Sequence, residues 1–436
     1  MRINELTIKN FKSFSEKTFE FNDRFNVIIG NNATGKTTIL DALSVAIGSF
    51  LLGIDGADSK NIRPDEIRTI WKYASPLPQV PVIVKATGDI EGKTYHWMRT
   101  LNSVNGRTTR SDAKVLKGHA EIKHDIYRNS ENQANNMIPT FPLLAYHGTG
   151  RLWAEHSEKI DYKANIEGVL AGYKDCLSPK SSSKAFLSWY KTYYNDAKNL
   201  GNDHDLLLLI VFNSAITEII PEWKNIGFSY KIEDLVGDYT NPDGSEELKP
   251  FSSLSDGFRN TIGLIADLAY RCIKLNPHLG EDILKETPGV VLIDEIDLHL
   301  HPKWQKRIVE DLKRTFPKVQ FIATTHSPFV VQSLTADQLI NLDNMTTEDA
   351  YHLSIEEVAE NIMGMENVKR SQRFIKMENS ASAYFTLLRN PSNQESIDQA
   401  KNLYDELKLE FENDPAYLAL LKAEGNSTAT SIETKE

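Results

Sequence analysis

An α/β fold is predicted for this 436-residue chain by three observations. FNVIIG, residues 25–30, is a mostly apolar run that ends at glycine, and from Lys36 to about Leu51 the residues Ile39, Leu40, Leu43, Ala46 and Ile47 then recur at helical spacing. VVLIDEID, residues 290–297, is apolar without alternation, as a strand covered on both faces of a parallel sheet is. VQFIATTH, residues 319–326, repeats that strand pattern after a helix-length segment. The expected architecture is a parallel sheet with an inserted, mainly helical subdomain and a helical C-terminal region.

In chain order, Ile3, Leu6, Ile8 and Phe11 followed by Phe19, Phe21 and Phe25 read as paired strands around a turn at KSFSEK. SPLPQVP breaks the pattern near residue 78, and VIVKATGDIEGKTYHWMRTL reads as a hairpin. Residues 103–138 are polar and are expected to be a mobile loop or an insertion; 141–147 return as a short strand. Within it, Arg107, Arg110, Lys114 and Lys117 form a basic stretch, read first as a solvated loop and second as a contact for nucleic acid or an acidic partner. From about 155 to 225 the periods are helical, with Trp189, Tyr190 and Tyr193 facing inward. GFSYKIEDLVGDYTNPDGSEELKP is strand and turn material, and a helix is expected from Ser255 to about Lys274. HPKWQKRIVEDLKRTF reads as one helix with Pro302 in its first turn and Trp304, Ile308, Leu312 and Phe316 as its apolar stripe. The last eleven residues are expected to be disordered. These readings divide the chain into an N-terminal lobe 1–150, a helical insertion 151–248, a lobe 249–349, a helical region 350–424 and a tail 425–436.

Charge and composition exclude several functions. Lys and Arg number 49 against 60 Asp and Glu, a net charge of −11, which argues against a chain that binds nucleic acid over its whole surface. The two cysteines, Cys176 and Cys272, cannot build a disulfide framework or a four-ligand zinc site. No apolar run is read as reaching the roughly 18 residues of a membrane span, and the first residues alternate like a strand rather than a signal peptide. A cytoplasmic protein with no membrane partner is expected.

The chemistry lies in four segments. GNNATGKTT, residues 30–38, fits G-x-x-x-x-G-K-[ST] between a strand and a helix. Gly30, Asn31, Asn32, Ala33, Thr34 and Gly35 would curl so that successive N–H groups face phosphate oxygens. Lys36 would reach the β- and γ-phosphates of ATP, Thr37 would ligate Mg²⁺, and Thr38 continues the helix N-terminus, whose partial positive charge favours anions. Asp294 and Glu295 end an apolar strand, where unpaired carboxylates are costly unless a cation or a catalytic water uses them. Asp294 would hold Mg²⁺, and Glu295 would polarise the water attacking the γ-phosphate. Ser255 and Gly257, in SSLSDGFRN, form a polar helix start able to meet an anion. His326, in TTHSP, stands one residue past a parallel strand, at the edge where ligands bind.

The order and kind of these segments resemble ABC-type P-loop ATPase heads of the SMC, RecF and overcoming-lysogenization-defect (OLD) group. IKNFKSF with NVIIGNNATGKTTILDAL is similar to the group's N-terminal strand pair and Walker A. LSDGFRN resembles the ABC signature, with Asp256 where glycine is commoner. LIDEIDLHLHP resembles Walker B and the D-loop, and TTHSPFVV the switch-histidine segment, which makes His326 a catalytic candidate beside Glu295. The resemblance covers residues 1–51 and about 250–345. His301 departs from it, standing where the D-loop usually carries aspartate. No glutamine identifies a Q-loop, although Tyr146 to Arg151 occupy its region. No coiled-coil arms and no nuclease-type acidic constellation follow. LLAYHGTGRLW and AGYKDCL are further similar to the ATPase subunit, PtuA-like, of Septu-type antiphage systems, which also accompanies some retrons. That resemblance implies ATP hydrolysis, self-association around sandwiched ATP, and control of a companion HNH endonuclease. The alternative is an ATPase of DNA repair or recombination that binds nucleic acid itself.

Overall fold

The N-terminal strand pair forms as expected in the computed structural model. It describes all residues except 73–74, 131–137, 151–167, 180–183, 200, 344–348, 367, 369–370, 390–393 and 411–436. β1 (Arg2–Phe11) and β2 (Phe14–Glu20) are antiparallel, with Ile3, Leu6, Ile8 and Phe11 fully buried. β3 (Phe25–Ile29) is buried at every position and runs through the glycine loop into helix α1 (Lys36–Ile47). β4 (Thr69–Lys72) pairs with β5 (Ser75–Pro78), so the proline-containing break is an exposed two-stranded ribbon. Proline is tolerated there because an edge needs fewer ladder donors. β6 (Val82–Ile90) and β7 (Lys93–Leu101) form the expected hairpin and complete a sheet of order β2-β1-β6-β7.

The expected loop at 103–138 is instead largely a helix, α2 (Lys114–Ser130). Its charges mask an inner stripe, Leu116 and Ala120, that is fully buried in the N-terminal core while Ile122 and Ile126 stay exposed. Of the basic stretch, Arg107 and Arg110 precede this helix, and Lys117 pairs with Glu121 at 2.8 Å along it. β8 (Leu143–His147) follows. Helices α3 (Lys184–Asn199) and α4 (Asp203–Ile219) carry Trp189 and Tyr190 inward as expected, and Tyr193 packs partly buried beside them. Their Phe186, Phe212 and Ile216 enter the same apolar cluster as the central strands. A three-stranded sheet follows, β9 (Trp223–Ser229), β10 (Asp234–Thr240) and β11 (Glu246–Pro250), and then α5 (Asp256–Leu275).

The central sheet is completed by β12 (Gly289–Ile293), β13 (Val319–Thr324) and β14 (Leu339–Asn341), in the order β14-β3-β13-β12-β8. Each neighbouring pair is parallel. Alternate residues point to opposite faces: Val27, Val291 and Phe321 join one core, Ile28, Leu292 and Ile322 the other. Burial on both faces is why these strands read as continuous apolar runs. The predicted helix at 301–316 is divided into Pro302–Gln305 and Ile308–Thr315, and its stripe residues Ile308, Leu312 and Phe316 are buried. Lys36–Gly53 is long and apolar enough to cross a membrane, contrary to the composition reading, but it is 83% buried inside the protein. Its hydrophobicity belongs to a core helix. Cys176 and Cys272 are both buried and unbridged.

Two compact units are present, Met1–Met363 and Gly364–Glu436. The second holds helices Gln372–Arg389 and Gln394–Glu410, which bury Ala381, Tyr384, Ala400 and Leu407 together. The predicted disordered tail lies outside the described residues.

Gly289 shows how closely the central strands approach. A Cβ placed on it would lie 2.1 Å from the Leu143 carbonyl oxygen of β8, a backbone atom that cannot turn aside. Gly289→Ala is therefore expected to destabilise the protein by about 1–3 kcal/mol or more, read as a lower denaturant midpoint in equilibrium unfolding. An unchanged midpoint would show that β8 and β12 separate freely.

Candidate active site

Three parallel strands deliver the site from their C-terminal ends. The loop after β3 curls with φ of 67° at Ala33 and 102° at Gly35 before α1 begins at Lys36. The Lys36 ammonium donates to the carbonyls of Gly30 (2.6 Å) and Asn31 (2.9 Å). Burial holds its pKa below the ordinary lysine value, against the pull of Asp343, Asp294 and Glu295 in that order. Thr34 Oγ1 donates to the Asn31 carbonyl at 2.8 Å, and the Asn31 N–H is taken by Asp343 Oδ2 at 2.8 Å.

The end of β12 brings Asp294 beneath this loop. Thr37 Oγ1 of α1 donates to Asp294 Oδ2 at 3.0 Å, and Thr324 Oγ1 of β13 donates to Asp294 Oδ1 at 2.6 Å. The Asp294 N–H donates to the His147 carbonyl of β8 at 2.8 Å, so its backbone is held from β8 and its carboxylate from α1 and β13, and the residue is only 4% exposed. A hydroxyl and a carboxylate this close form an oxygen-only donor set, which suits a hard divalent cation such as Mg²⁺. Glu295 has a left-handed backbone (φ 50°), held by its N–H donating to Thr324 Oγ1 at 2.8 Å. Thr324 thus accepts from one residue of the carboxylate pair and donates to the other.

A cavity of about 340 Å³ joins these parts, lined by Asn32, Ala33, Gly35, Lys36, Thr37 and Thr38 of the loop and helix, with Asp294, Glu295, Thr324 and His326 opposite. His326 is exposed at the rim, while Ser327 beside it caps the helix Pro328–Val331. Lys12 and Ser13 also line the cavity, from the turn between β1 and β2. Neither was singled out from the sequence, because a lysine and a serine at a strand turn carry no local sign of a ligand. Lys12 is set by Asp41 of α1, which accepts from Lys12, Lys60 (3.4 Å) and the Tyr146 hydroxyl (3.4 Å). Tyr146, in the region considered for a Q-loop, is therefore turned into the core; residues from Arg151 lie outside the described residues.

Ser255 and Gly257 are brought to a different place. Neither is among the described residues lining the cavity. Ser255 is exposed at the start of α5, and Gly257 lies against the backbone after Walker B, where an added Cβ would come 2.6 Å from the His299 carbonyl oxygen. Asn260 Nδ2 donates to the Leu298 carbonyl at 2.8 Å, and Phe258 meets Trp304 edge to face at 4.3 Å. His301 accepts the Lys303 N–H through Nδ1 (3.2 Å) and so caps its own short helix. The helix start at Ser255 thus lies outside the lining of its own phosphate-loop cavity.

Known proteins are similar to this chain in sequence. Residues 5–207 match an AAA domain family, and residues 173–332 match a second AAA domain family. "Retron Vc95 probable ATPase" of Vibrio cholerae is 29% identical over 385 residues, covering 78% of this chain and 73% of that protein. "Septu protein PtuA" of Bacillus mycoides is 35% identical over 426 residues, covering 93% of this chain but 50% of that longer protein. Among solved structures, an SMC head bound to the C-terminal winged-helix domain of ScpA aligns over 80% of this chain and 96% of its own, with a TM-score of 0.46 and 18% identity. With its glycine loop, carboxylate pair and histidine segment in series along one parallel sheet, the chain is similar to AAA-domain ATPases and, over most of its length, to retron ATPases and Septu PtuA.

Proposed function

We propose that this chain is the ATPase subunit of a Septu- or retron-type antiphage system, which binds ATP with Mg²⁺ in the cavity described above and thereby controls a companion HNH endonuclease in the cytoplasm. One observation carries the reading of the site: the loop lysine, the Asp294–Glu295 pair and His326 converge on a single cavity although they lie far apart in sequence. Residues 30–38 bind the phosphates through backbone N–H groups and Lys36. Thr37 and Asp294 would hold Mg²⁺, which would neutralise phosphate charge when bound. Glu295 accepts a proton from the attacking water, and His326 faces the same space from β13. Ser255 and Gly257 serve the nucleotide of a second copy, since they do not reach their own.

Glu295→Gln is expected to keep ATP bound while hydrolysis falls about 100-fold or more, because the amide fills the same space without accepting a proton. ATP affinity and phosphate release measured on one preparation separate this from misfolding. Normal turnover would place water activation on another residue. The control function is tested by co-expressing the chain with a candidate HNH endonuclease and following DNA cleavage with and without ATP. Cleavage that ignores both ATP and Lys36→Ala would remove the regulatory role.

A further inference from the structure

We infer that Asp343 is a built-in competitor for the phosphate loop, which sets the nucleotide concentration at which the site fills. The inference rests on the reading of residues 30–38 as the phosphate site.

Edge strand β14 lies parallel to β3, and the residue after it docks on the loop: the Leu342 N–H donates to the Ile29 carbonyl at 3.0 Å. Leu342 Cβ also sits where a side chain on Gly30 would come within 3.0 Å. The next residue is turned by its own N–H, which donates to Asn341 Oδ1 at 3.0 Å. That turn brings Asp343 Oδ2 to 2.8 Å from the Asn31 N–H, in the loop itself. Asn341 is tied down in turn, because its Nδ2 donates to the Ile362 carbonyl at 2.8 Å. The backbone that carries the carboxylate is therefore tethered beside the loop.

A carboxylate bound to a phosphate-loop amide is a partial imitation of the ligand. It satisfies a donor that would otherwise need water, and it adds negative charge beside Lys36. A nucleotide arriving with several negative charges meets this fixed charge at short range. Either Asp343 leaves the Asn31 N–H or the two remain together under repulsion, and both outcomes weaken binding. Nothing in the hydrolytic arrangement of Asp294, Glu295 and Thr324 requires Asp343, so its contribution is to affinity.

The test measures ATP affinity by titration calorimetry on the full chain and its variants. Asp343→Asn keeps an oxygen acceptor for the Asn31 N–H but removes the charge, and it is expected to bind ATP about five- to tenfold more tightly. Asp343→Ala, which removes both, should also bind more tightly than the parent. Equal or weaker binding by Asp343→Asn overturns the inference. So does weaker binding by Asp343→Ala, which would make the residue a support of the loop. Lys36→Ala distinguishes the two levels of argument. If Lys36→Ala binds ATP like the parent, the phosphate-site reading itself fails; if it loses ATP while Asp343→Asn gains nothing, only the competitor role fails.

Discussion

Alanine at Lys36 is expected to weaken ATP binding by about 100-fold or more, measured by calorimetry on protein shown to be folded. The magnitude follows from where the ammonium stands. It is buried at the foot of the loop and donates to two loop carbonyls, at 2.6 and 2.9 Å. Charge-assisted hydrogen bonds formed in such a partly dry place are worth more than surface ones, and a phosphate is a stronger acceptor than a carbonyl. Alanine also removes the positive charge that acts against the carboxylates of Asp343, Asp294 and Glu295, which adds repulsion toward any polyanion. Stability should change less than affinity, because the lysine's own partners lie within the loop. An unchanged ATP affinity in folded Lys36→Ala protein would place the nucleotide elsewhere.

The second large effect is a rescue. Lys36→Ala and Ser255→Arg chains are each expected to be inactive alone, yet an equal mixture should recover about one quarter of the parental ATPase activity. The reason is the separation of Ser255 from its own cavity: the helix start of α5 is exposed and packs on the Leu298–Leu300 turn instead. In a symmetric pair, each phosphate loop would face the other copy's α5. A mixed pair then has one site with both defects and one with none. The N-terminus of α5, like other helix starts, would offer N–H donors and positive potential, and so would add affinity for a triphosphate only when two copies close around it. That difference between open and closed pairs is what allows a ligand to act as a switch. Absence of rescue, with mixed pairs demonstrated by differential tags, would count against the shared site. Full activity of Ser255→Arg alone would exclude it.

How much was legible depended on how local the cause was. The strand, loop and helix at residues 25–47 follow from an apolar run, glycines and a helical period within some twenty neighbouring positions, and they fold as read. VVLIDEID and VQFIATTH were legible for the same reason, since burial on both faces leaves an unbroken apolar string. Helix α2 was misread because its charged residues outnumber the two or three positions that touch the core. The helix at 301–316 was read as continuous because periodicity does not register the break between Gln305 and Ile308.

By itself the sequence determined the chemistry on offer: a phosphate loop with Lys36 and Thr37, a carboxylate pair at Asp294 and Glu295, a polar helix start at Ser255 and a histidine at 326. Each is a short segment whose role follows from residue type and immediate flanks. Only the tertiary structure decided which of them meet. The strand order places β3 beside β13 and β13 beside β12, so residues separated by about three hundred positions share one cavity, while Ser255 is left outside it. It also brought Lys12 to the cavity, from the turn after β1, and Asp343 to the Asn31 N–H of the loop, from the segment after β14. Parallel strands joined by long crossovers put distant segments side by side, and no local periodicity in a chain records which strand will be its neighbour.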